Sequence, residues 1–132
     1  MESSETEIYE PGDILEARQR DFDSGLHFII YLGEINEDVF QGVMITTKGD
    51  YDNNVPFDKD DFFGNDINGG PYKVIFKDSY FVDQPFLKKR DWGPFKQVGK
   101  LTKKGLLGVI ENTKDKPLMD YLTEYLASKK IR

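Results

Sequence analysis

The chain has 132 residues, a formal net charge of −6, one histidine and no cysteine. That length fits a single domain, residues 1–132, able to bury its own core. The missing thiols exclude disulfides and thiol catalysis and fit a cytoplasmic protein. The longest apolar run, Phe28 to Leu32, falls well short of the roughly 20 residues that a helical membrane span needs. The start, MESSETEIYE, is acidic and polar, so it does not read as a secretory leader, and residues 1–8 are expected to fray.

Tyr9-Glu10-Pro11-Gly12-Asp13 is a turn signal: Pro presets φ and Gly supplies conformational freedom. Ile14 to Arg18 reads as a first strand, followed by a polar loop that contains Arg20. Leu26–Leu32 and Val39–Thr47 are β-branched and aromatic runs, separated by the turn-forming Gly33–Asp38. Together they predict the central hairpin of a small barrel, with Thr46 and Thr47 where its second strand runs out.

Lys48 to Val55 has loop chemistry. Asp50, Asp52 and Asn54 are spaced like the start of a calcium loop, but position six is Val55 and position twelve is Asp61, so a solvated turn is the expectation and no metal is assigned. Phe57 to Phe63 suits a short strand or a helical turn. Gly64 to Pro71 is a turn cluster, and Tyr72–Phe76 and Ser79–Val82 alternate as strands.

Lys88 to Pro94 reads as a basic loop carrying Trp92, and Phe95–Gly99 as a last strand. Thr102 can cap a helix through Lys103–Glu111, with Leu106, Leu107 and Ile110 as its apolar stripe and a cost of roughly 1 kcal/mol each for Gly105 and Gly108. Pro117 opens a second expected helix, where Leu118, Leu122, Tyr125 and Leu126 recur at helical spacing. Strands followed by helices predict a mainly β, α+β domain: a barrel over about residues 9–100 with C-terminal helices over about 102–130 packed across it.

Charge is uneven. Residues 1–85 hold 6 Lys and Arg against 19 Asp and Glu, and residues 86–132 hold 12 against 5. Such asymmetry suits either a polyanion surface or neutralisation within one fold. Lys88, Lys89, Arg90, Lys96, Lys100, Lys103 and Lys104 lie near Phe86, Trp92 and Phe95. Basic residues interleaved with aromatics suit single-stranded nucleic acid, and they equally suit a solvated surface with Trp92 in the core.

Several of these stretches, in this order, resemble the PemK/MazF family of toxin ribonucleases. Tyr9–Leu15 resembles its opening "PGDI" strand, and Val43-Met44-Ile45-Thr46-Thr47 its strand ending in a hydroxyl pair. Asp83-Gln84-Pro85 is similar to its Asp-Gln motif, Asp91-Trp92 to its Asp-Trp, and Phe95–Leu101 to its lead into the helix. The resemblance spans about residues 8–128. It implies an SH3-like barrel, a homodimer, an antitoxin partner protein, and cleavage of single-stranded RNA without a metal or other cofactor.

That cleavage, attack of a ribose 2′-hydroxyl on the adjacent phosphate, needs a proton acceptor, a proton donor and stabilisation of phosphate charge. The resemblance assigns catalysis to Thr46, Thr47 and Asp83. Two positions where the family carries Arg read differently here: His27-Phe28 replaces Arg-Pro, and Phe81 stands two residues before Asp83. His27 is therefore a candidate acid, base or phosphate contact, and Arg18, Arg20, Gln84, Lys88, Lys89, Arg90 and Trp92 are candidate RNA contacts. Each has a structural alternative: a strand position for His27 and the threonines, a loop cap for Asp83, a turn for Gln84. Two functions follow as expectations, an endoribonuclease toxin or a non-catalytic SH3-like barrel that binds a protein or nucleic acid. They differ in whether His27, Thr46, Thr47 and Asp83 converge.

Overall fold

The computed structural model describes residues 9–18, 26–46, 54–65, 68–72, 79–89 and 95–120. The expected strand over Tyr72–Phe76 lies outside them from residue 73 on, as do Arg20, Thr47, Arg90, Trp92, residues 1–8, where fraying is the expectation, and the expected second helix beyond Asp120. The fold is mainly β. The strands are β1 (Asp13–Arg18), β2 (Leu26–Asn36), β3 (Val39–Thr46), β4 (Asn54–Pro56), β5 (Tyr80–Val82), β6 (Phe86–Lys89), β7 (Lys96–Lys100) and β8 (Met119–Asp120). One helix, α1 (Lys103–Thr113), and a 3-10 turn (Lys59–Asp61) complete the described elements. No helix among the described residues is long and apolar enough to cross a membrane.

The central hairpin is present, but its turn is shorter than expected. β2 runs on to Asn36, and only Glu37-Asp38 turn. Two register shifts, between Tyr31 and Gly33 and between Glu34 and Asn36, absorb the extra residues. Asn36 Oδ1 accepts the Asp38 N–H at 2.8 Å, an Asx contact that closes the turn locally.

The sheet order is β4-β5-β3-β2-β1-β7, and β6 pairs with the other half of the β3 edge. β3 thus hands its outer edge first to β5, at Ile45 and Thr46, and then to β6, at Val39–Gly42. The bend between them is Asp83-Gln84-Pro85. All of these pairs are antiparallel; β8 adds to β6 in parallel.

Among the described residues no ladder joins β7 to β4 or β6, so the sheet is not closed into the expected barrel. The chain around the 3-10 turn meets the end of β7 instead: Phe63 N–H donates to Lys100 O at 3.0 Å, and Phe62 bridges Leu101.

Alternation in the strands buries both faces of the sheet. Leu15, Ile29, Tyr31, Phe40, Met44, Val82, Phe86 and Phe95 form one core cluster. Ile14, Ile30, Val43, Ile45, Phe81, Val98, Leu101 and Val109 form the other, which α1 covers. Of the expected stripe only Leu106 packs on this cluster, and the helix is rotated away from the rest. It buries Gly105, Val109 and Thr113 and leaves Leu107 and Ile110 exposed. Gly105 sets this rotation, because a Cβ there would lie 2.4 Å from Asp61 O. Thr102 caps the helix as expected, its Oγ1 accepting the Gly105 N–H at 3.2 Å.

Two further expectations change. Lys88 and Lys89 belong to β6 rather than a basic loop, and Lys88 is only 3% exposed. Pro117 does not open a helix at once: Met119–Asp120 pair as strand β8. Proline disfavours helical backbone at the residue before it, which fits an extended exit from α1.

Candidate functional site

The candidate residues fall at three separate places on the sheet. The first is the open end of β1, β2 and β3. Ala17 pairs with His27, Arg18 with Leu26, and Phe28 with Ile45. One step beyond that last pair stand His27 and Thr46, and Thr46 pairs on its other side with Tyr80. Backbone register therefore gathers Arg18, His27 and Thr46 at one end of the sheet. Lys96 joins them there through Glu16. Thr47 and Arg20 lie outside the described residues, so the hydroxyl pair is represented by Thr46 alone.

The second place is the bend after β5. Asp83 is three residues past Tyr80, the partner of Thr46, and strand rise puts it about 10 Å away along the sheet. Its carboxylate is engaged: Lys116 Nζ lies 2.7 Å from Asp83 Oδ2. Gln84 Nε2 donates to Pro85 O at 3.0 Å and also to Pro117 O. Both residues bind the segment that leaves α1.

The third place is β6, where Lys88 pairs with Phe40 and Lys89 with Val39. This is the hairpin-turn end of β3, roughly 20 Å from Thr46 by strand rise. Lys89 is exposed. Lys88 is buried, and burial pushes its ammonium down to about 8. A lysine that is 3% exposed presents no surface charge to a phosphate chain. Arg90 and Trp92 lie outside the described residues.

Of the calcium-like spacing, Asp50 and Asp52 lie outside the described residues. Asn54 begins β4 and is buried, and Asp61 Oδ2 accepts the Asp58 N–H at 2.8 Å to close a capping box. Among the described residues no cluster of three or more His, Asp and Glu could hold a metal ion.

Asp13, from the opening "PGDI" stretch, is structural. It is buried, its Oδ1 accepts from Lys100 Nζ at 2.9 Å and from Gln97 Nε2 at 3.2 Å, and its Oδ2 accepts the Glu10 N–H at 2.9 Å. Gly12, at φ 100°, sits at the crossing, donating to Tyr31 O and accepting from Leu101 N–H, both at 2.8 Å.

Lys116 and Pro117 were not among the sequence candidates. The signal was the Lys-Pro pair, which reads as extended backbone; what it docks on is a long-range matter. A scan of protein-family models, a search of curated proteins and a search of solved structures each returned no match for this chain.

Proposed function

We propose that this chain is an SH3-like β domain of PemK/MazF type that acts by binding a protein partner rather than by cutting RNA. The observation that carries this reading is the Asp83–Lys116 ion pair. It commits the candidate acid to the fold's own chain, about 10 Å along the strands from Thr46. A general base or acid must reach the proton it moves, within about 3 Å or through one water. Burial of Lys88 adds to the argument, since it removes one cation from the basic set that RNA would need. The acidic first 85 residues also repel a polyanion.

A second reading, a metal-independent endoribonuclease working as a homodimer under an antitoxin, has one observation in its favour. His27 and Thr46 both stand one residue beyond the Phe28–Ile45 pair, at the open end of the β2–β3 ladder. There His27 would be the proton acceptor that attack by a ribose 2′-hydroxyl needs.

Incubating purified protein with a mixed pool of single-stranded RNA in EDTA separates the two. The binding reading expects intact RNA. Cleavage that disappears in His27→Ala would overturn it.

A further inference from the structure

The Asp83–Phe86 bend reads the segment after α1 residue by residue. Asp83 takes the Lys116 ammonium at 2.7 Å, and Gln84 donates to Pro117 O. Pro85 O accepts the Met119 N–H at 3.4 Å, and Phe86 pairs with Met119 in parallel. Met119 packs on the core cluster that contains Phe86, while Leu118 between them stays exposed. A charge, a carbonyl, a backbone N–H and an apolar side chain are thus each matched in order along an extended strand.

The hold is built from weak parts. The Met119 backbone hydrogen bond to Pro85 is long, and Lys116 is 42% exposed. β8 is also the parallel addition to a sheet whose other pairs are antiparallel. By contrast the receptor side is rigid: Pro85 and Phe86 are fully buried, and Phe86 is locked opposite Gly42 of β3.

From this juxtaposition we infer that Asp83–Phe86 is a strand-docking groove for an extended peptide of a partner protein, with Lys116–Met119 as its intramolecular occupant. The partner segment carries a cation followed three residues later by an apolar side chain, and it adds to the β6 edge by strand addition. The ligand chemistry is that of the occupant seen in place, and the acidic character of residues 1–85 favours a basic partner. This inference rests on the binding reading above. The tethered occupant competes at high effective concentration, so the groove opens to a partner only when Lys116–Met119 lifts off.

The test is a fluorescence-anisotropy titration of full-length protein with a labelled peptide of sequence Thr113–Asp120 (TKDKPLMD). Full-length Lys116→Glu, whose own segment is weakened, should bind the peptide at least about tenfold more tightly than the unaltered chain. Adding Asp83→Asn should remove that gain, and a peptide carrying Lys116→Glu should not bind. Equal affinity for both chains, or binding indifferent to Asp83→Asn, overturns the inference. A concentration-dependent dimer that the peptide does not dissociate would assign the groove to exchange between copies and also overturn it.

If Lys116→Glu fails to fold, hydrogen exchange on the unaltered chain decides. The Met119 amide should exchange through a local opening, well before the β2–β3 amides. Exchange of Met119 only with global unfolding overturns the inference. RNA cleavage measured on the same preparation would sink the binding-only reading by itself and leave the peptide result to stand separately.

Discussion

Gly105 of α1 lies directly on Asp61 of the 3-10 turn: a Cβ at residue 105 would sit 2.4 Å from Asp61 O and 2.9 Å from its Cβ. Backbone cannot yield there as a flexible side chain would. Gly105→Ala should therefore destabilise the fold by about 1–3 kcal/mol despite the better helix propensity of Ala. Gly108 is the matched control, because nothing lies within 4 Å of a Cβ there. Gly108→Ala should stabilise by roughly 0.5–1 kcal/mol. Urea unfolding midpoints of the two variants should move in opposite directions; a shift of the same sign would refute the close approach.

These two glycines also mark a limit of sequence reading. Both lower helix propensity equally, and only the long-range contact with Asp61 separates them. Local signals did well where one residue decides the outcome, as with the Pro11-Gly12 turn, the Thr102 cap and the β2–β3 hairpin. The helix stripe was legible only at Leu106, because Leu107 and Ile110 fit the period as well as Val109 does and the contact of Gly105 with Asp61 chose the buried face. β6 was hidden by its lysines, since alternation buries Lys88 on the side of Phe86. For the candidate site, the neighbourhood of His27 and Thr46 was legible from antiparallel pairing. The occupation of Asp83 by Lys116 was not, because it joins residues 33 positions apart.

Burial of Lys88 makes stability depend on pH in a specific direction. Its native ammonium titrates at about 8, against 10.5 for the ordinary side chain. Between those values the unfolded chain holds a proton that the native chain has released, so this residue's contribution to stability rises with pH. Below about pH 8 both states are protonated and the full burial cost is present, on the order of 1–3 kcal/mol. The stability of the unaltered chain relative to Lys88→Met should therefore rise as pH goes from 7 to 10. A gap independent of pH would mean that Lys88 keeps its ordinary protonation in the fold.

Lys100 has the opposite sign. Burial lowers it, but hydrogen bonds and charge from Asp13 and Glu10 outweigh burial and raise it above 10.5. Its contribution is complete below the unfolded value and is lost as pH climbs through the higher native one. Within the cluster, the two acids should differ. Asp13 is 6% exposed at its side chain and holds the Glu10–Asp13 turn, so Asp13→Ala should cost about 1–3 kcal/mol. Glu10 is 76% exposed, and Glu10→Gln should cost under about 0.5 kcal/mol. Thermal unfolding at pH 7 compares them, and equal losses would contradict the assignment of Asp13 as the anchor.

Gly42 lets β6 lie against β3, and through β6 it fixes the Asp83–Pro85 bend. It pairs with Phe86, and a Cβ at residue 42 would lie 2.7 Å from Ile29 Cγ2, 3.3 Å from Ile30 O and 3.3 Å from the Phe86 ring. Ile29 and Phe86 are both fully buried, so neither can step aside cheaply. Gly42→Ala should cost about 1–3 kcal/mol by overpacking. Ile29→Ala alone should cost about 2–5 kcal/mol through the cavity it opens. The double variant should lose less than the two added together, because the new methyl occupies part of the space vacated at Ile29. Additive losses in denaturant unfolding would show that residues 42 and 29 do not meet. If Gly42→Ala instead shifts β6 along β3, the Met119 amide should lose exchange protection while the Ile29 amide keeps it, because β8 hangs on β6 alone in the described sheet.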